Sequence, residues 1–153
     1  MEARPEDVET IDGVIRALYE VLSGPAGPRD WERERTLFAP GARLMPTRPG
    51  QDGGPPTIDV FDIDGYIASR SPYFAANDFY EVEVSRRVDR FGNMAHVWST
   101  YESRRVLDEP PFMRGINSIQ LVNDGKRWWV VSIFWEAEST RLKLPEKYLK
   151  SAP

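Results

Sequence analysis

Periodicity along the chain predicts a segregated α+β architecture, with helices first and a long antiparallel sheet after them. Three observations carry this expectation. Apolar residues recur at helical spacing across residues 6–23. From residue 79 onward the period changes to two, in four β-rich runs. The last run, RWWVVSIFWE at residues 127–136, is apolar on both faces: Trp128, Val130 and Phe134 alternate with Trp129, Val131, Ile133 and Trp135. Successive side chains on a strand point to opposite sides, so such a strand has to be covered twice.

In the first segment Val8, Ile11, Ile15, Leu18 and Leu22 form the stripe, widened by Val14 and Val21, and Gly24-Pro25 ends it. Asp30 caps a second, shorter helix, WERERTLF, whose Trp31 and Phe38 lie two turns apart on one side. APG stops that helix, and ARLMP follows as a short strand. Residues 47–57, TRPGQDGGPPT, are turn-rich and apolar-poor, which predicts a flexible loop. A third helix is expected over DIDGYIASRSPYFAAN, capped by Asp62 or Asp64 and kinked or broken at Pro72. FYEVEVSRRVDRF then alternates apolar and charged residues as a half-exposed strand does, and FGNM turns the chain into MAHVWSTYESRRV. FMRGINSIQLV is the third long strand, and Asp124-Gly125 marks the hairpin into the fourth. The tail from residue 139 to 153 reads as an exposed arm.

The 153 residues suit one domain, expected over 1–153 with its core at 6–138. Apolar residues make up 41% and charged residues 29%, the balance of a soluble globular protein. There is no apolar run long enough to span a membrane and no apolar stretch at the N-terminus resembling a signal peptide. The absence of cysteine excludes disulfides and thiolate metal sites, and a cytoplasmic location is the natural expectation. A net charge of -4, with basic residues only in short separated groups, argues against nucleic-acid binding.

Helices on one face of the sheet account for half of the apolar residues in the last strand. The other half would form an exposed patch larger than monomers usually carry. A second copy of the same sheet, packed about a two-fold axis, is the simplest cover, so a homodimer through the outer sheet face is expected.

The element order and four stretches resemble the nuclear transport factor 2-like, or cystatin-like α+β, superfamily. The stretches are LFAPGARL, FYEVEV, RGINSIQLV and DGKRWWVVSIFW. The group includes ketosteroid isomerase, scytalone dehydratase and polyketide-cyclase-like (SnoaL-like) proteins, and the resemblance covers about residues 8–138. It implies a cone-shaped sheet curled around three N-terminal helices, a ligand pocket between the first two helices and the inner sheet face, and dimers through the outer face.

The resemblance also frames the candidate chemistry. Isomerase-like members carry a carboxylate general base just ahead of a proline on the first strand. Here the pair is Met45-Pro46, and methionine cannot take a proton. Dehydratase-like members use a histidine with a carboxylate, and this chain has one histidine, His96. Alternation groups His96 with Met94, Trp98 and Thr100, opposite Ala95, Val97, Ser99 and Tyr101, and the small-residue set suits a cavity wall better. His96 is then a weak catalytic candidate, favoured instead as a partly buried residue of the dimer seam. Position 134, often polar in the superfamily, is Phe134.

An apolar ligand pocket is therefore expected from Tyr19, Trp31, Phe38, Tyr101, Trp128 and Phe134, each of which can equally serve as core. Asn117, Ser118, Gln120 and Ser132 lie in apolar strands and belong to the pocket or the seam, with Asn117 and Ser132 the pocket candidates. Arg114 pairs with Glu102 across strands, or faces the pocket, where it would suit a carboxylate. Glu32 and Glu34 read as a solvated helix face. There is no phosphate loop, metal-ligand spacing or nucleophile elbow, and no cofactor is expected. Two functions fit. One is a small-molecule-binding protein with an apolar pocket, extending to cofactor-free cyclase, dehydratase or isomerase-like catalysis on an apolar or aromatic ligand. The alternative is a non-catalytic dimeric module that binds a ligand or a protein.

Overall fold

The computed structural model describes residues 1–150. The first apolar stripe is carried by two helices, α1 (Pro5–Val8) and α2 (Ile11–Leu22), where a single helix was expected. Thr10 separates them. Its backbone is extended, and its hydroxyl accepts from the Gly13 N–H at 2.9 Å, capping α2. Helix α3 (Trp31–Arg35) is capped by Asp30, which accepts from the Arg33 N–H at 3.0 Å. It is shorter than WERERTLF, because Phe38 already opens strand β1 (Phe38–Arg48).

The segment read as a loop is partly strand. Thr57 and Ile58 form β2 and pair with the end of β1 at Arg48 and Thr47. Helix α4 (Ile63–Ala76), capped by Asp62 at 2.7 Å, continues through Pro72, so of the expected kink or break the break does not occur. The carbonyl that proline leaves unpaired belongs to Ala68, which is exposed, so water can serve it. No helix among the described residues is long and apolar enough to cross a membrane.

The long strands are β3 (Tyr80–Phe91), β4 (Met94–Arg104), β5 (Met113–Asn123) and β6 (Trp128–Ala137), each antiparallel to the next. The β5–β6 turn forms as its Asp-Gly pair predicts. Gly125 takes a positive φ of 93°, and the Asp124 carboxylate accepts from the Lys126 and Arg127 N–H groups and from the Trp129 indole. The sheet order is β2-β1-β6-β5-β4-β3, and β1 runs parallel to β6. The sheet is therefore mixed, and antiparallel throughout only from β6 to β3. β1 enters it from the helical segment, without a hairpin that would reverse it against β6.

Two bulges interrupt the antiparallel ladders, and a third irregularity lies between Phe38 and Arg43 where β1 pairs with β6. In β6 the pairing with β5 slips between Val130 and Ser132, so that Val131 is an extra residue. In β3 the pairing with β4 slips between Glu83 and Ser85 at Val84. Each bulge bends its strand and exchanges the two faces beyond it. Inside the curl, Val14, Ile15, Ala17 and Leu18 of α2 pack on Val97, Ile119, Leu121 and Val130. On the outside, the tail returns over the sheet: Thr100 donates to the Tyr148 carbonyl at 2.5 Å, and the Tyr148 ring lies 5.8 Å from that of Trp98. The arm is thus anchored through Tyr148, while most of its described residues are exposed, as expected; residues 151–153 lie outside the described residues.

The helices are tied together by a buried charge. Asp7 is fully buried and receives two hydrogen bonds from Arg33, at 2.8 and 2.9 Å. The guanidinium holds the Asp7 carboxyl below the usual carboxylate range. Arg33→Met is expected to leave this carboxylate buried without its main partner and to lower unfolding stability by about 3 kcal/mol, measured by urea denaturation.

Candidate functional site

Between the helices and the inner sheet face lies a cavity of about 380 Å³. Its wall is mainly apolar: Leu18 and Leu22 from α2, Leu44 and Pro46 from β1, Phe74 from α4, Ile119 from β5, and Ile133 and Trp135 from β6. Tyr66 stands edge-on to Trp135 with ring centroids 6.0 Å apart. Gly115 makes room for Tyr101 on the facing strand. A Cβ there would come within 2.5 Å of the Tyr101 hydroxyl and 2.4 Å of the Glu136 carbonyl.

Into this wall the fold sets polar groups of two kinds. The first is a hydrogen-bonded chain. The Tyr19 hydroxyl meets Ser99 Oγ at 2.6 Å and accepts from Asn117 Nδ2 at 3.1 Å. Ser99 Oγ in turn donates to Glu83 Oε2. Glu83 is gripped by Arg86 through contacts of 2.7 to 3.1 Å, and Arg86 reaches Asp12 at 2.8 Å. Tyr19 joins this chain because α2 crosses the strands where Ser99 and Asn117 are register partners.

The second kind is a pair of carboxyls, Glu34 and Glu81, both lining the cavity. Glu34 is 3% exposed, and its Oε2 has no hydrogen-bond partner. Burial pushes its carboxyl up to about 8, opposed by the charge of Arg35. Burial likewise pushes Glu81 up to about 8, with Ser103 pulling the other way. The Tyr66 hydroxyl is raised by burial first and then by Glu34 and Glu81, which puts it within electrostatic reach of both carboxyls. Near neutral pH the two glutamates are largely neutral acids able to donate a hydrogen bond.

Of the residues expected to line the pocket, the structure brings together Tyr19, Tyr101 and Asn117. Trp31, Phe38 and Trp128 pack elsewhere. Trp31 lies against Phe74 at 5.8 Å, Phe38 is in the core, and Trp128 is buried with Arg90 over its ring at 4.8 Å. Ser132 and Phe134 do not face the cavity, because the Val131 bulge turns them outward and brings Ile133 and Trp135 in. Ser132 donates to Gln120, and Phe134 is 41% exposed. Arg114 is also outside the cavity; it pairs with Glu138, while Glu102 pairs with Arg104. His96 sits on the outer face, as alternation placed it, within 2.9 Å of Ser118 and edge-on to Trp98. Met45 does not line the cavity, whereas Pro46 does.

Glu34 and Glu81 escaped the sequence reading. Glu34 is not on a solvated face. On a helix it shares the stripe of Trp31 and Phe38 (i, i+3, i+7), while Glu32 points some 200° away. That spacing was a legible signal. In FYEVEV the alternation is real, but the charged set faces inward with Phe79, which is 5% exposed.

No family model and no curated protein matches the chain. Solved structures match its fold. A Nostoc punctiforme protein of unknown function with a cystatin-like fold superposes with a TM-score of 0.65 at 12% identity, over 92% of this chain and 97% of that one. An NTF2-like protein of unknown function from Pseudomonas putida gives 0.63 at 13%, over 88% and 90%. A protein provisionally assigned as a ketosteroid isomerase, from Shewanella frigidimarina, gives 0.55 at 12%, over 80% and 91%. The chain has the cystatin-like α+β fold that these structures share.

The raised carboxyls make stability fall as pH rises. An unfolded glutamate ionises near 4.5, whereas Glu34 and Glu81 hold their protons up to about 8. Between these values the unfolded chain binds fewer protons, so their contribution is complete below 4.5 and is lost on the way to 8. Glu34→Gln is expected to flatten this decline and to raise stability at pH 8 by on the order of 3 kcal/mol, read from urea midpoints between pH 5 and 8.5.

Proposed function

We propose that the chain binds a small, largely apolar ring compound in the cone cavity and acts on it by cofactor-free acid–base chemistry. The observation that carries this reading is the pair of cavity carboxyls, of which Glu34 is buried with one oxygen unpartnered. An unpartnered carboxyl in an apolar wall costs folding energy, and a ligand oxygen accepting its hydrogen bond would recover part of that. Groups poised near neutrality beside an apolar cavity are the arrangement that proton transfer to or from a bound substrate requires. Glu34 and Glu81 take the acid–base role, and Tyr19, Asn117 and Tyr101 orient the ligand.

A second reading, a non-catalytic binding module, is favoured by two features. The histidine lies on the outer face rather than in the cavity. The position ahead of Pro46, where isomerase-like proteins carry their base, is a methionine that does not line the cavity. Native mass spectrometry of freshly purified protein is expected to show a bound small molecule that is lost on denaturation. Apo mass alone, with no thermal shift across a panel of aromatic compounds, would overturn the binding reading. A retained ligand that is never turned over would favour the second.

We further propose that the outer sheet face pairs with a second copy. A row of register partners, Met45, Phe134, Ser118 and Trp98, crosses four strands. Phe134 and Val131 remain 41% and 39% exposed even with the tail docked alongside. The next row, Arg43, Ser132, Gln120 and His96, supplies polar groups for a self-complementary seam. Phe134→Glu is expected to convert a dimer of the wild-type chain into a monomer in sedimentation velocity. A wild-type monomer at micromolar concentration would sink the pairing.

A further inference from the structure

We propose that Tyr19 is a specificity-determining acceptor: its phenolic proton is turned away from the cavity, so the ligand must present an O–H or N–H to it. The inference rests on the binding reading above and adds the polarity of one end of the ligand.

The polarity follows from counting protons along the hydrogen-bonded chain. Glu83, held through both oxygens by Arg86, is a carboxylate and can only accept. The contact between Ser99 Oγ and Glu83 Oε2 therefore uses the one proton that Ser99 has. Ser99 can then only accept from Tyr19, and the 2.6 Å contact uses the proton of the phenol. With that proton committed, the contact to Asn117 needs an N–H from the amide, which fixes the amide with its nitrogen toward Tyr19. What Tyr19 has left is acceptor capacity on its oxygen. Asn117 keeps its carbonyl oxygen without a hydrogen bond among the described residues, a second acceptor at the same end.

A tyrosine in an apolar pocket is ordinarily free to serve a carbonyl as donor or a hydroxyl as acceptor. Here the Arg86–Glu83 ion pair removes that choice by orienting a serine between itself and the phenol. Glu34, 3% exposed with an unpartnered oxygen, supplies the contrasting end, a neutral acid suited to a ligand acceptor. The cavity then reads its ligand by direction, requiring a donor at Tyr19 and an acceptor at Glu34. An ether or ketone placed at Tyr19 would face two acceptors and lose the hydrogen bond it had in water.

The test compares 2-naphthol with 2-methoxynaphthalene, which differ in that single donor, by fluorescence titration. Wild-type protein is expected to bind 2-naphthol about tenfold more tightly, one hydrogen bond's worth. Tyr19→Phe should bring the ratio close to one. Ser99→Ala should release the phenolic proton into the cavity and shift the ratio toward 2-methoxynaphthalene, a change of preference that a loosened fold would not produce. Equal binding of the two probes to wild type overturns the acceptor assignment and leaves the binding reading standing. Failure of both probes to bind overturns the acceptor assignment and the binding reading together.

Discussion

Two extra residues, one in β3 and one in β6, decide which side chains of those strands face the cavity. Val84 in β3 and Val131 in β6 each shift the pairing by one residue. Because side chains alternate with a period of two, each shift exchanges inside for outside over the rest of its strand. Before the β6 bulge Trp128 and Val130 face the helices; after it Ile133 and Trp135 do. The bulge in β3 ends an inward run of Glu81 and Glu83 and resumes it at Arg86, whose register partner is Ser99. Arg86 can therefore hold Glu83 from one side while Ser99 reaches it from the other. Without that offset the hydrogen-bonded chain from Tyr19 to Asp12 would not close.

The cavity follows from the curl of the sheet, and so does its electrostatic character. A sheet wrapped around α2 and α4 leaves a low-dielectric space, and a carboxyl placed there keeps its proton well above the ordinary glutamate range. Glu34 and Glu81 are in this condition, whereas Asp7, also buried, is kept ionised by Arg33. The difference is the partner. One buried acid received an arginine and became a structural tie between helices. The other two face an open volume and remain available to whatever fills it. The proposed acid–base function grows from this contrast in pairing rather than from the number of charges.

The outer face shows a second division of labour. The tail covers part of it, through Thr100, Trp98 and Tyr148, more than its polar composition suggested. Phe134 and Val131 stay partly bare beside it. The proposed two-fold pairing would seat a partner on that remainder, with His96 in the seam and not in the cavity.

The amino-acid sequence by itself determined the class of fold, the existence and order of most elements, the Asp30 cap, the Asp-Gly hairpin and the face of β4, and left the cap of α4 between Asp62 and Asp64. These depend on local periodicity and on side chains that act within a few residues of themselves. Tyr19, Tyr101 and Asn117 were legible as cavity residues because no bulge intervenes in α2, β4 or β5. Glu34 was legible in principle from its stripe with Trp31 and Phe38, although its charge argued for solvent. Tertiary structure alone decided the rest: the parallel pairing of β1 with β6, the inward turn of Glu81 and the exchange of Phe134 for Trp135. A bulge is a mismatch between two strands, so neither strand's own sequence records it. Which face of a strand is buried is likewise settled by what packs against it.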